Sequence, residues 1–184
     1  MKRTILLIAI ATATACTAPT PETRPTPPAE AAVPAINLSQ RCTNTQHGFS
    51  VSYPAGWQTN DGSVLPACSA FDPRPISMPR DSELPFEIAI VLDVEKVAVD
   101  ELTRSTQWER VLSSEQTTIG GRKAFRVEVE ATGEGLADRG MRSLRYVIDL
   151  GGGRTLIGAT HGVNPSYEGN KNVLARMVES VTLN

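Results

Sequence analysis

The chain has 184 residues, of which 18 are basic and 20 are acidic, for a formal net charge of −2. This length suits one domain with additional segments, and the lack of a basic excess gives no support for nucleic-acid binding. Aromatic residues make up only 5% of the chain, so its core has to be built mainly from Val, Ile, Leu and Ala.

The first fifteen residues, MKRTILLIAIATATA, have the order of a secretory signal peptide. Lys2 and Arg3 form a positively charged start, an apolar run follows over 5–11, and small residues lead to Ala15, directly before Cys16. The apolar run is far shorter than the ~20 residues that a membrane-spanning helix needs. Residues 1–15 therefore predict export from the cytoplasm.

Cys16 follows Ala13-Thr14-Ala15, and this context resembles a bacterial lipobox, in which small residues precede a cysteine that is acylated and becomes the new N-terminus. The lipobox favours Leu where this chain has Ala13. The resemblance implies an extracytoplasmic lipoprotein that is anchored to a membrane of the cell envelope by acyl chains such as palmitate on Cys16. Several acyl chains anchor far more strongly than one, at ~0.8 kcal/mol per buried CH₂. Plain secretion after cleavage near Ala15 is the alternative.

Residues 17–36, TAPTPETRPTPPAEAAVPAI, carry six prolines and almost no large apolar side chains. Such a segment cannot bury enough surface to offset the entropy lost on ordering, so we expect a disordered linker over 16–36. In the extended polyproline conformation, at ~3.1 Å per residue, it would hold a domain up to ~60 Å from its anchor. The domain is then expected over 37–184.

Two cysteines, Cys42 and Cys68, remain once Cys16 is assigned to lipidation. An even pair in an oxidising compartment favours a disulfide, and the chain-entropy model puts the stabilisation by this loop at about 3.5 kcal/mol. A reactive thiol with a histidine partner is the alternative, although no nucleophile motif surrounds either cysteine.

Strands dominate the prediction for the domain. Residues 47–54 alternate apolar and polar side chains, and 86–93, FEIAIVLD, are typical of a central strand that is buried on both faces. Gly120-Gly121 between two alternating runs predicts a hairpin. The other strands are predicted at 67–72, 108–119, 122–131, 142–150 and 154–161.

Helices are predicted at only two places, a short one at 100–106 and a C-terminal one at 166–181. The second has an apolar stripe with the helical period. A long proline-rich loop is expected at 73–85 and a flexible connection at 133–140. An antiparallel meander closed by a helix is an α+β fold.

Three segments together resemble the PsbP-like lipoprotein domain family: GFSVSYPAGW at 48–57, TIGGRKAFRVEVEATG at 118–133 and the run from YVIDL to SVTL at 146–183. Their order and spacing span most of residues 40–184. The resemblance implies a central antiparallel sheet between helices, an α-β-α sandwich. It implies no catalytic residues and no activity.

The candidate chemistry is sparse. His47 and His161 are the two histidines, and they could share a metal with a carboxylate such as Asp61 or Asp149. No histidine or cysteine spacing typical of a metal site occurs, and no G-x-S-x-G elbow or P-loop is present. We therefore expect no metal and no cofactor, with both histidines exposed in loops.

The sequence favours a non-catalytic binding or accessory module for an envelope protein complex or a small ligand. Contact surfaces are expected on the loops at 73–85 and 133–140, because binding sites favour loops on rigid scaffolds. Trp57, Phe71 and Trp108 are possible apolar contacts, with core or turn packing as the alternative. A hydrolytic or metal-dependent extracytoplasmic enzyme that uses His47 or His161 is the competing hypothesis.

Overall fold

The computed structural model describes residues 36–78, 87–161 and 166–183. The predicted signal peptide, Cys16 and the linker up to residue 35 lie outside this part of the chain. The described strands are β1 Gln40–Asn44, β2 Phe49–Tyr53, β3 Gln58–Thr59, β4 Ala70–Asp72, β5 Ile90–Glu95, β6 Glu109–Ile119, β7 Arg122–Ala131, β8 Arg142–Gly151, β9 Arg154–Thr160 and β10 Thr182–Leu183. A 3₁₀ turn covers Glu101–Thr103, and helix α1 covers Tyr167–Glu179.

The strands form two antiparallel sheets. A large sheet has the order β3-β4-β5-β9-β8-β7-β6, and a small one has the order β1-β2-β10. The predicted α+β class and central antiparallel sheet are confirmed. The predicted hairpin is also confirmed, since β6 pairs with β7 from Ile119↔Arg122 outward and both glycines of the turn have positive φ.

Helix α1 packs on one face of the large sheet, against β8 and β9, and also contacts β2. Its apolar stripe places Leu174, Met177 and Val178 in the main core. Gly158 of β9 lies directly beneath, and a Cβ built on it would be 2.8 Å from Leu92 Cδ2 and 3.4 Å from Leu174 Cδ1. The missing side chain therefore lets the helix approach the sheet closely.

No helix covers the opposite face in the described part of the chain, so the predicted sandwich of helices on both faces is wrong there. A smaller core of Val99, Val127, Val129 and Val147 lies on this face, with Leu102 packed against it. The predicted helix at 100–106 is only the 3₁₀ turn, because Arg104 is already extended (φ −108°, ψ 152°) and Asp100 makes no side-chain cap. This face is consequently only partly covered.

Strand β5 also departs from its prediction. It begins at Ile90 rather than at residue 86, and its side chains alternate. Ile90 and Leu92 lie in the main core, whereas Asp93 and Glu95 are exposed on the partly covered face. The strand is therefore not buried on both faces along its length, because the partly covered face of the sheet has no helix over it.

Cys42 in β1 and Cys68 form a disulfide with Cα atoms 5.8 Å apart, which confirms the predicted pair. The bond joins the small sheet to the loop that leads into β4. Asn60 organises that loop, since its side chain donates to the carbonyls of Leu65 and Pro66 and accepts from the amides of Ser69 and Ala70. No helix in the described residues is long and apolar enough to cross a bilayer.

Candidate ligand-binding site

A cavity of about 520 Å³ opens on the partly covered face of the large sheet, where β7 ends and β8 begins. Its apolar wall combines strand ends with loop side chains: Trp108, Val129, Ala131, Leu136, Ala137 and Met141. Trp108 and Leu136 stand at its rim, with 52% and 87% of their surface exposed. Large apolar side chains at the rim of a concave apolar wall are typical of a ligand site.

The connection between β7 and β8 forms the roof of this cavity, and backbone bonds fix both of its ends. The amide of Gly140 donates to Ala131 O at 2.9 Å, and the amide of Ala131 donates to Met141 O at 2.8 Å. Thr132 ties the roof to the start of β6, because its amide donates to Trp108 O at 3.0 Å. Gly135 lies against the Trp108 ring, since a Cβ built on Gly135 would be 3.4 Å from Trp108 Cε3.

Polar groups in the wall already have partners within the protein. Glu109 forms an ion pair with Arg145, whose guanidinium also donates to Leu102 O at 2.6 Å. The hydroxyl of Ser143 donates to Thr160 O at 2.6 Å, and Thr160 Oγ1 accepts from the Leu144 amide at 3.0 Å. The wall therefore offers mainly apolar contact to a ligand.

His161 lies at the end of β9 in the wall of this cavity, and it is partly buried. Its amide donates to Ala89 O at 3.1 Å, which extends the pairing of β9 with β5. Burial lowers the pKa of His161 below its ordinary value, so the imidazole is neutral at pH 7. The prediction that this histidine is exposed in a loop is wrong.

His161 also lines a second cavity, of about 400 Å³, on the same face of the sheet. Leu65 and Pro66 of the loop before β4 form one side of it, and Val91 and Ile157 form its floor. Val91 pairs with Ala159, and Ile157 pairs with Asp93, so the two floor side chains share the partly covered face.

The other residues considered as metal ligands are engaged elsewhere. The amide of His47 donates to Asn44 Oδ1 in the turn between β1 and β2. Asp61 accepts from the Ser63 amide, and Asp149 accepts from the Gly151 amide, so both carboxylates stabilise turns. Within the described ranges no three His, Cys, Asp or Glu side chains come together as a metal site.

The three aromatic residues considered as contacts have different environments. Phe71 is fully buried, and its ring centre lies 5.3 Å from that of Tyr53, so it belongs to the core and offers no contact surface. Trp57 is partly buried and packs against the same core. Trp108 alone of the three is exposed. The loop at 73–85 is described only up to residue 78, where Arg74 holds it against Asp72.

Several wall residues could not be found from the sequence. Four of them lie at or beside the ends of β7 and β8: Val129, Ala131, Met141 and Ser143. These positions are separated along the chain but adjacent in the sheet, where Val129 pairs with Ser143. The loop at 133–140, Trp108 and His161 could be singled out, as a glycine-rich connection, a rare aromatic residue and one of two histidines.

No protein-family model and no curated protein matches this sequence. Among solved structures, the chain is similar to the cyanobacterial PsbP (CyanoP) of Synechocystis sp. PCC 6803, with a TM-score of 0.48 and 13% identity over 85% of this chain and 99% of that one. It is also similar to LpqN of Mycobacterium tuberculosis, described as involved in cell envelope biogenesis, with a TM-score of 0.49 and 10% identity over 79% of this chain and 91% of that one. Neither likeness assigns a role to any residue of this chain.

Proposed function

We propose that this chain is a non-catalytic, extracytoplasmic lipoprotein whose domain binds a small apolar ligand in the cavity below Trp108 and Leu136. One observation carries the proposal. Three large apolar side chains are exposed in the described part of the chain, and two of them, Trp108 and Leu136, stand together at the rim of an apolar cavity. Exposed apolar side chains that cluster, rather than scatter singly, mark interaction sites.

The shape of the site favours a small ligand over a flat protein partner. The cavity is a concave, open cleft bounded on one side by a connection with fixed ends, and small-molecule sites are concave and mostly apolar. Docking of an envelope protein complex remains the broader form of the same proposal, with the rim residues as its contacts.

The polar groups of the cavity support binding rather than catalysis. The Ser143 hydroxyl donates its hydrogen to a backbone carbonyl, whereas a nucleophilic serine donates to a base. Glu109 is held by Arg145 in an ion pair. His161 is neutral and could accept a proton, but no activated nucleophile is placed beside it among the described residues.

Fluorescence of Trp108 tests ligand binding. In a Trp57→Phe background Trp108 is the only tryptophan, since the chain has two. A neutral apolar dye such as N-phenyl-1-naphthylamine should quench Trp108 by energy transfer with a saturable isotherm. Leu136→Asp should weaken dye binding at least tenfold, because it places a charge at the apolar rim.

Leu112→Asp is the matched control, because Leu112 is also exposed, at 38%, but lies outside the cavity wall. It should leave dye binding within about twofold of the parent. Equal loss in both variants, or no saturable binding in the parent, would contradict the proposed site.

The anchor is tested separately. The full chain should fractionate with membranes and carry a diacyl or triacyl cysteine at its new N-terminus by mass spectrometry, whereas Cys16→Ser should be released in soluble form. A Cys16→Ser protein that still fractionates with membranes would contradict lipidation while leaving the ligand site untouched.

A further inference from the structure

Strand β5 loses its neighbour on the β4 side before it ends. Ala70 pairs with Val91, and the Leu92 amide donates to Ser69 O at 2.9 Å, but no pairing on this side follows beyond Leu92 in the described part of the chain. Backbone groups point to alternate sides along a strand, so the amide and carbonyl of Val94 face the same side as those of Leu92. Val94 therefore presents an open position for strand pairing.

The chain before β4 is held away from this open position. In a continued ladder Ala67 would lie opposite Val94, but Cys68 has a φ of 65°, in the left-handed region, and turns the chain aside. Ala67 O accepts instead from Asn44 Nδ2 at 2.8 Å, and Asn60 Nδ2 donates to the two carbonyls before it. The backbone that could have covered Val94 thus has its hydrogen bonds elsewhere.

The cavity of about 400 Å³ lies between this part of β5 and the loop before β4. Leu65 and Pro66 form its loop side, and Val91, Asp93 and Glu95 form its β5 side. Asp93 and Glu95 are two residues apart in the strand, so their side chains share one face at a spacing of ~7 Å. The cavity therefore combines apolar walls with two carboxylates, and Val94 lies between the two.

These two carboxylates have no cation of their own. Among the described residues, no Lys, Arg or His side chain is within ion-pair distance of Asp93 or Glu95. Asp93 Oδ1 accepts from the Val94 amide at 2.7 Å, an exposed bond between chain neighbours. Basic side chains at alternate positions of an added strand repeat at the same ~7 Å, so they match both carboxylates at once.

We propose that this edge of β5 binds a short extended segment of a partner protein, with a basic, an apolar and a second basic residue in succession. The apolar residue lies opposite Val94 and forms two backbone hydrogen bonds with it, so that its carbonyl replaces Asp93 Oδ1 at the Val94 amide. The basic residues lie opposite Asp93 and Glu95, with their aliphatic stems against Leu65 and Pro66. This site goes beyond the proposed ligand cavity, and neither depends on the other.

An NMR titration of the purified, ¹⁵N-labelled chain tests this site. The probe is the acetylated and amidated peptide Ser-Lys-Val-Arg-Ser, which should shift the Val94 amide signal saturably. The reordered peptide Ser-Lys-Arg-Val-Ser has the same composition, but its basic side chains fall on opposite faces of a strand. It should bind at least fivefold more weakly than the probe.

Methylation of the valine nitrogen in the probe tests the backbone pairing without any change to the protein. It removes the N–H that would donate to Val94 O, so binding should weaken at least fivefold, the equivalent of about one hydrogen bond. The charges of the peptide stay the same, so this loss cannot come from electrostatics.

Asp93→Asn with Glu95→Gln tests the charge pairing. This double variant should weaken the probe at least fivefold, because two ion pairs are lost. Glu168→Gln with Glu179→Gln is the matched control, since it removes two charges from exposed positions on α1, and it should stay within twofold of wild type. Circular dichroism should show both double variants folded.

Three results would overturn the proposal. The first is a probe that produces no saturable shift at Val94. The second is a reordered or N-methylated peptide that binds as tightly as the probe, because charge alone would then explain binding. The third is 1,5-diaminopentane that binds as tightly as the probe, which would make the carboxylates a site for free cations. Binding of N-phenyl-1-naphthylamine reports the proposed ligand cavity independently, so either proposal can fail alone.

Discussion

Asp72 is the buried carboxylate that fixes the start of the loop after β4. It accepts from the amide, Nε and Nη2 of Arg74 and from the amide of Ala89, at 2.8 to 3.2 Å. Burial alone would raise the pKa of Asp72, but the hydrogen bonds and charge of Arg74, with the Ala89 amide, lower it overall. The ionised form is therefore the one that stabilises the fold.

Asp72→Asn should lower the free energy of unfolding by roughly 1–3 kcal/mol at pH 7, measured by urea denaturation. A carboxyl with a lowered folded pKa contributes stability above its unfolded pKa of ~3.9, and loses it as pH falls through the folded pKa. The gap between wild type and the variant should thus be full above about pH 5 and shrink below pH 4.

Asp100→Asn is the matched control for Asp72→Asn. Asp100 pairs with Lys123 at 2.9 Å, but both side chains are substantially exposed. An exposed pair contributes at most ~1 kcal/mol, so this variant should change stability little at pH 7. A larger loss at Asp100 than at Asp72 would contradict the assignment of Asp72 as the stabilising carboxylate.

Helix α1 depends on Gly158 for its distance from the sheet. Gly158→Ala should destabilise the domain by about 1–3 kcal/mol, the range for overpacking, because the new Cβ would meet Leu92 and Leu174. Thermal or chemical unfolding measures the loss.

Gly169→Ala is the matched substitution within α1, where a new Cβ meets nothing within 4 Å. It should stabilise the domain by roughly 0.5–1 kcal/mol through helix propensity. The two Gly→Ala changes therefore have opposite predicted signs, and loss of stability in both would show that contact with Leu92 is not the cause at Gly158.

Elements with a clear period could be predicted from the sequence. Residues 122–131 match β7 at both ends, and the helix predicted at 166–181 contains α1. Strand β1 was missed because QRCTN has no apolar alternation, and it is held instead by pairing with β2 and by the disulfide. The resemblance implies helices on both faces, but in the described part of the chain the second face has only the 3₁₀ turn, because Arg104 is already extended and Asp100 makes no side-chain cap.

At the scale of the molecule, the disulfide joins the small sheet to the loop that precedes β4. Replacing both Cys42 and Cys68 by Ala should lower the free energy of unfolding by about 2–4 kcal/mol, because the unfolded chain gains freedom. Alanine is preferable to serine at Cys68, which is fully buried and would leave a hydroxyl without water.

Thiol titration of the unfolded, unreduced mature protein supplies the control for that variant. It should detect no free thiol in residues 17–184, since Cys42 and Cys68 are the cysteines there. Two free thiols, with unfolding unchanged by the double substitution, would contradict the bond.

The candidate site could be predicted only in part. The glycine-rich connection and Trp108 were recognisable as exposed features, but the floor arises where the register of three strands brings small and apolar side chains together. Val91 illustrates the difficulty, since a continuous apolar run favours a doubly buried strand while the structure uses Val91 to line a cavity.

The two outer strands of the large sheet affect whether copies of the domain can associate edge to edge at high concentration. In the described chain, β3 is two residues long, and β6 is eleven residues long but mostly exposed and polar, with an irregular register between Val111 and Ser113. Short, polar or bulged outer strands are poor templates for another chain to add to. Copies of the domain that meet at high concentration therefore find no ready outer strand edge on the large sheet along which to assemble into a ribbon.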